Sequence, residues 1–224
     1  MKDCFSKELF ATLKDMSANN NSQWYHENKS RVNDARKEVA LFANELIPQI
    51  RKFDNTVGLF EGEKTMYRQF RDIRFSPDKS LLKTYFSTCI CCAPMKQNGV
   101  PCYYLHIEET FCMIAGGVYG ADKDSIKKIR DEIYYNIDEF NKIMNDKNFK
   151  KYFIGFDSDG KLKKAPKGYP NNWEYIEYLK NKHFTPSIYF PAQKAMEKNF
   201  KDYVLEVFHS LKDINAFFYK AINL

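Results

Sequence analysis

The chain lacks the long apolar runs that membrane-spanning segments need. Its 224 residues hold no run near the ~18 apolar residues of a spanning helix, and the longest weakly polar stretch, residues 111–120, contains three glycines. The first residues mix charges and show no apolar block of about 7–15 residues, as a secretory signal would. We therefore expect a soluble, cytoplasmic protein with no membrane contact.

Glycine and proline are also scarce, at 9 and 8 of 224 residues. That is too few for a collagen-like or disordered chain. Hydrophobic residues make up 44% of the chain and aromatic residues 16%. A chain of this length buries roughly 70% of its unfolded surface, so its core needs neither disulfide nor metal. We expect one domain over residues 1–224.

The six cysteines lack the paired Cys-x-x-Cys and His-x-x-x-His spacings of zinc sites. On a strand, Cys89 and Cys91 would share a face and Cys92 would point away. A single ion could not easily reach all three. Free thiols packed in the core are therefore expected, and a metal site is the disfavoured alternative. Residues 116–120 are glycine-rich but lack both phosphate-binding fingerprints. We expect no cofactor.

Apolar spacing and turn residues predict the secondary structure. Five segments have apolar residues at helical spacing: about 5–16, 24–48, 122–144, 173–179 and 191–222. Four segments rich in aromatic, Thr and Cys residues predict strands: 56–60, 84–92, 101–107 and 110–115. Helices, then strands, then helices indicate an α+β domain in which an antiparallel sheet packs with several long helices.

The densest polar segment is residues 67–79, followed by Lys83. As a strand, it would place Arg68, Phe70, Asp72 and Arg74 on one face, and a turn at residues 76–78 would fold the following lysines back. Guanidinium groups bind phosphate or carboxylate in a bidentate way. The candidate ligand-binding residues are Arg71, Arg74, Lys79, Lys83 and Lys167. The alternative is a salt-bridged surface in which Asp72 and Asp78 are internal partners.

Proton transfer, if the protein performs any, has three candidate residues: Asp72, Tyr104 and His106. His106 lies in a predicted strand, on one face with Tyr104 and Glu108, and could act as a general base. The alternative is that His106 only makes a hydrogen bond in place.

Three functions are compatible with these features. A small anionic ligand in a basic pocket is favoured. A protein–protein interaction module without chemistry is the second. Nucleic-acid binding is less favoured, because the net charge of +6 is modest and residues 101–147 carry a net −3. The sequence leaves the oligomeric state, and whether the protein is an enzyme, undecided.

The polar segments also resemble a bacterial and fungal family called domain of unknown function 2461. The most specific match is Arg71-Asp72-Ile73-Arg74-Phe75-Ser76-Pro77-Asp78-Lys79 with Lys83. Further matches run from Asn19-Asn20-Asn21 to Leu179-Lys180, so the resemblance covers about residues 5–200. This chain departs from the family pattern at Leu81-Leu82, where Pro-Tyr is usual, and at Glu108-Glu109-Thr110, where a glycine-rich turn is usual. The resemblance implies no established activity, but it favours the anion pocket, because the matching polar positions are the same basic and turn residues.

Overall fold

Two N-terminal helices, α1 (Lys7–Ala18) and α2 (Ser22–Ile50), form the first layer of the computed structural model. The structure describes residues 3–74, 77–78, 80–92 and 99–223. The side-chain oxygens of Ser6 and Asn21 cap the two helices by accepting the N–H groups of Leu9 and Trp24. Pro48 lies inside the last turn of α2, close to where the sequence predicts its end.

A four-stranded antiparallel sheet forms the centre of the domain. Its strands run in the order β1 (Tyr85–Cys91), β2 (Cys102–Glu108), β3 (Phe111–Gly117) and β4 (Ser187–Pro191). The first three match the predicted strands. The fourth was not predicted, because Pro191 looked like the start of a helix. Pairing of Pro191 with Phe111 places it at a strand end instead.

The remaining helices are shorter than expected. They are α3 (Lys123–Tyr135), α4 (Ile137–Met144), α5 (Lys147–Tyr152), α6 (Ile176–Leu179), α7 (Phe200–Ser210) and α8 (Lys212–Asn223). The prediction of one helix over 122–144 was wrong, because Asn136 leaves the helical region at ψ 41°. The predicted last helix is also divided, into a 3₁₀ turn at Ala192–Met196 and two helices that meet at Leu211. No helix of the described residues is long and apolar enough to cross a bilayer.

The two faces of the sheet differ in chemistry. One face carries fully buried apolar residues such as Phe86, Leu105 and Ile114. Helices α2, α7 and α8 contact this sheet and supply the rest of the core. The alternation of strand side chains places tyrosines, cysteines and His106 on the opposite face. We call that second face the open face. Together these elements form a single α+β domain, as predicted.

The segment before β1 is not the strand expected over residues 56–60. It follows the edge of β1 through separate hydrogen bonds, from Gly58 N to Cys91 O and from Tyr67 N to Ser87 O. A 3₁₀ turn at Gly62–Thr65 interrupts it. A side chain at Gly62 would place its Cβ 2.0 Å from the carbonyl oxygen of Ala40 in α2. The long helix α2 therefore packs closely against this segment at Gly62.

Candidate functional site

A cleft of about 610 Å³ lies on the open face of the sheet. This volume is typical of small-molecule sites, which span roughly 300–1,000 Å³. Strands β1 to β4 form its floor, and the segments around Tyr67, Tyr119, Asp157 and His183 form its walls. The aromatic and charged residues that line it are Tyr67, Lys83, Tyr85, Tyr104, Tyr119, Asp157, Asp159, His183 and Tyr189.

Lys83 stands at one wall of the cleft, on the segment that leads into β1. Its Nζ lies 5.1 Å from the ring centre of Tyr67 and 5.6 Å from that of Tyr85, which are cation–π distances. Burial, with a smaller contribution from the charge of Arg68, lowers the pKa of Lys83. No carboxylate of the described residues forms an ion pair with it. This ammonium group is therefore partly desolvated and faces aromatic rings instead of an acid.

Three side chains of β2 form a hydrogen-bonded row on the open face. The Tyr104 hydroxyl lies 3.2 Å from His106 Nδ1, and His106 Nε2 lies 3.0 Å from Glu108 Oε2. A carboxylate only accepts hydrogen bonds, so Nε2 carries the proton and Nδ1 accepts from the tyrosine. Burial lowers the pKa of His106, and Glu108 opposes this shift. Burial also raises the pKa of Tyr104. The row thus holds a neutral phenol and a neutral imidazole.

The opposite wall combines a histidine with an aspartate. His183 Nδ1 accepts the N–H of Gly120, and the imidazole stacks on Tyr119 at 4.2 Å between ring centres. Asp157 accepts hydrogen bonds from Ser187 at 2.5 Å and Thr185 at 3.4 Å. A turn at Asp159-Gly160 follows Asp157 closely in the chain. It places two carboxylates beside the cleft.

Three neighbouring thiols lie on the open face of the sheet, at Cys89, Cys91 and Cys102. The Cys89 thiol contacts those of Cys102 and Cys91, and the hydrogen bond to Cys102 contributes most to raising its pKa. These cysteines are free thiols, and Cys102 lines the cleft. Among the described residues, no group of three or more His, Cys, Asp or Glu side chains is arranged to hold a metal ion.

The expected arginines are engaged with acids on the surface. Arg71 bonds to Asp78 and, at 2.5 Å, to Ser80. Arg74 binds both carboxylate oxygens of Asp72, at 2.9 and 2.7 Å. These bonds lower the pKa of Asp72. Both pairs therefore have the geometry of a salt-bridged surface, which is the alternative to an anion-binding site that the sequence left open.

The strand predicted to carry these residues is absent from the described part of this segment. Phe70 makes one bridge to Leu82, and residues 71–74 form no ladder. Asp72 and Arg74 bond to each other two residues apart, which bends the chain and works against a pleated strand. Of the candidate ligand-binding residues, Lys83 lines the cleft. Lys79 lies outside the described residues.

Lys167 belongs to a different part of the surface. It is exposed in the loop before Tyr169, whose hydroxyl donates to Asp131 of α3 at 2.8 Å. Arg130 of the same helix donates to the carbonyls of Leu179 and Asn181. These bonds fix the loop against α3 and α6. Lys167 is not among the residues that line the cleft.

One family comparison matches almost the whole chain. The model of the family described as Conserved hypothetical protein (DUF2461) matches residues 8–217. The chain belongs to this family. Comparison with curated proteins and with solved structures gave no match. The resemblance seen in the polar segments is thereby confirmed, and DUF2461 membership itself assigns no activity.

Of the candidates taken from the sequence, Lys83 and Tyr104 line the cleft, and His106 is hydrogen-bonded to Tyr104. Most of the other lining residues were not predicted. Tyr85 could have been found, because side chains alternate between the two faces of the sheet along β1 and β2. The sequence therefore shows which residues of each strand share a face. Asp157 and His183 could not have been found in this way, because they lie in loops that are far apart in the chain and meet at the sheet. The missed lining residues are Tyr67, Tyr85, Tyr119, Asp157, Asp159, His183 and Tyr189.

Proposed function

We propose that the protein binds a small molecule carrying a phosphate or carboxylate group in the cleft on the open face. The observation that carries this proposal is Lys83, a half-buried ammonium group that faces the cleft and two tyrosine rings. A bound anion would compensate this ammonium group for the hydration that burial has removed. Hydrogen bonds to a charged group contribute about 1.5–3 kcal/mol.

The remaining lining suggests the rest of the ligand. Tyrosines such as Tyr67 and Tyr85 present flat apolar faces together with hydroxyl groups. Met113 and Ala115 add apolar area to the floor. Such a surface suits a molecule with a planar or apolar body and one anionic group. Simple inorganic ions would use only a fraction of this surface, so we expect them to bind more weakly.

An anion site at the arginines is a weaker candidate. A ligand there would have to displace Asp72 from Arg74 or Asp78 from Arg71. Both pairs are exposed and would compete with it. Nucleic acid also fits the cleft less well, because Asp157 and Asp159 lie beside the same surface as Lys83. A polyanion would meet these carboxylates.

A thermal-shift panel tests the proposal. Benzoate, phenyl phosphate, inorganic phosphate and neutral benzyl alcohol are added to the wild-type protein, Lys83→Met and Lys167→Met. Methionine keeps the length of the lysine stem and removes its charge. We expect the aromatic anions to raise the melting temperature of the wild type and of Lys167→Met, but not of Lys83→Met. At 100 times the dissociation constant, a ligand adds about 2.7 kcal/mol of stability.

Two results would contradict the proposal. One is a shift that survives in Lys83→Met and disappears in Lys167→Met, which would move the anion site to the surface loop that carries Lys167. The other is an equal shift with benzyl alcohol and benzoate, which would show that the cleft does not select for charge.

A further inference from the structure

The row of Tyr104, His106 and Glu108 has the connectivity of a proton relay. These residues alternate along β2, so all three side chains lie on the open face. Tyr104 lines the cleft, and Glu108 lies at the last residue of the strand, with its side chain 26% exposed. The two hydrogen bonds, of 3.2 and 3.0 Å, connect the cleft to the end of the sheet.

The imidazole in the middle is held in one orientation. The ring of Tyr85 lies 4.2 Å from that of His106 on the β1 side, and the ring of Phe111 lies 5.6 Å away and nearly parallel on the β3 side. Thr84 Oγ1 lies 3.4 Å from the second carboxylate oxygen of Glu108. A histidine fixed between two rings and a carboxylate keeps its tautomer, as a proton-transfer site requires.

We propose that Tyr104 is the acid–base residue of the cleft and that His106 and Glu108 relay its proton. A substrate X–H bond breaks and its electron pair stays on X, while the proton passes to the Tyr104 oxygen. At the same time the phenolic proton of Tyr104 moves to His106 Nδ1. The resulting imidazolium is neutralised by the Glu108 carboxylate, and tyrosine remains neutral throughout. The reverse transfer returns a proton to the substrate.

Such a relay suits a reaction in which a proton is taken from and returned to an anionic substrate held by Lys83. In that respect the inference rests on the proposed function. Tyr104 is the group that would touch the substrate, and His106 and Glu108 act through it. The ionisable groups that face His106 are Tyr104 and Glu108 on β2 and Tyr85 on β1, while β3 contributes Phe111, which does not ionise.

The relay can be tested without a substrate, by the reactivity of Tyr104 toward an arylsulfonyl fluoride. The phenolic oxygen forms a bond to sulfur, the sulfur–fluorine bond breaks, fluoride leaves, and the phenolic proton passes to His106. We expect Tyr104 to be labelled faster than Tyr119 and Tyr189, although these are 63% and 61% exposed. The rate is read for each tyrosine by peptide mass spectrometry across pH 5–9.

Two variants separate the relay from simple exposure. In His106→Gln, labelling of Tyr104 should fall at least tenfold, while labelling of Tyr119 and Tyr189 stays the same. In Glu108→Gln, the pH at which Tyr104 labelling reaches half its maximum should shift down, because the imidazolium loses its carboxylate partner. Labelling of Tyr104 no faster than that of Tyr119, or unchanged in His106→Gln, would overturn the relay.

A second measurement guards against misfolding of the variants. The ¹⁵N spectrum of histidine-labelled wild-type protein should show His106 as the Nε2–H tautomer, and Tyr104→Phe should move its Nδ1 resonance toward that of a nitrogen without a hydrogen bond. The Nδ1–H tautomer, or no change in Tyr104→Phe, would refute the hydrogen-bonded row. Neither experiment uses an anion. The relay can therefore be confirmed when the anion site is refuted, and refuted when the anion site is confirmed.

Discussion

Replacing Asn215 by alanine should strongly destabilise the protein. Asn215 lies in α8 and is 2% exposed. Its Oδ1 accepts the N–H of Gly117 at 2.8 Å, and its Nδ2 donates to the carbonyl of Cys102 at 3.1 Å. Gly117 and Cys102 are opposite each other at the end of the β2–β3 ladder. One side chain therefore completes the hydrogen bonds of both strands where the ladder ends.

The magnitude follows from the two groups that alanine would leave without a partner. A buried donor or acceptor without a partner costs about 1–3 kcal/mol. Gly117 is buried and Cys102 is half-buried, so water can reach the second group more easily than the first. We expect a loss of roughly 2–4 kcal/mol for Asn215→Ala. At about 2–4 °C per kcal/mol for a chain of this size, the melting temperature falls by roughly 5–15 °C.

Differential scanning calorimetry of the wild type, Asn215→Ala and Asn223→Ala measures this loss. Asn223 is a matched control, because it lies in the same helix and bonds to Tyr219 O at 2.9 Å, but is exposed. We expect its substitution to change stability by less than about 0.5 kcal/mol. Equal melting temperatures for Asn215→Ala and the wild type would refute the reasoning that this amide completes the ladder.

Two further predictions concern other buried polar groups. In Tyr103→Phe, loss of the 2.8 Å hydrogen bond from the phenol to Asp54 should lower stability by about 1–3 kcal/mol in chemical denaturation; no change in the denaturation midpoint would show that this bond contributes nothing. For His106, burial lowers the folded-state pKa below 6.5. The unfolded chain therefore binds the proton more readily than the folded chain does. Stability is expected to fall as the pH drops from about 6.5 through the lower folded-state pKa. His106→Gln should flatten this dependence in melts between pH 4 and 8, and an unchanged slope would contradict it.

The sheet was largely predictable because local patterns specify it. Residues 84–92, 101–107 and 110–115 carry aromatic, Thr and Cys residues between turns, and they form β1, β2 and β3. The start of α3 was also predicted, from about residue 122. These features depend on neighbours in the sequence, so composition and spacing were sufficient.

The features that failed depend on contacts between distant segments. Pro191 reads as a helix start, yet pairing with β3 makes it a strand end. Gly62 gives no warning that α2 approaches it closely. Asn136 lies inside a continuous apolar pattern and still ends a helix. For Pro191 and Gly62, contacts with distant segments decide the local structure, and the neighbouring sequence does not show them.

The candidate site also combines features that the local sequence specifies with features that depend on distant contacts. The polar density of residues 67–79 is a real sequence feature, but the acids needed to neutralise Arg71 and Arg74 lie within that segment. Ion pairs within the segment therefore engage the basic groups that were expected to bind an anion. Lys83 differs, because the segment leading into β1 places it at a wall lined with tyrosines, where no carboxylate of the described residues pairs with it. Its role becomes visible only when the open face is assembled.

Calorimetric titration of phenyl phosphate into the wild-type protein and Lys83→Met tests the central claim most directly. A charge-assisted hydrogen bond of about 1.5–3 kcal/mol corresponds to a loss of affinity of roughly 10- to 150-fold. We predict a loss of that size in Lys83→Met and unchanged affinity in Lys167→Met. Equal affinities for the wild type and Lys83→Met would contradict the account, because Lys83 would then contribute nothing to holding the anion.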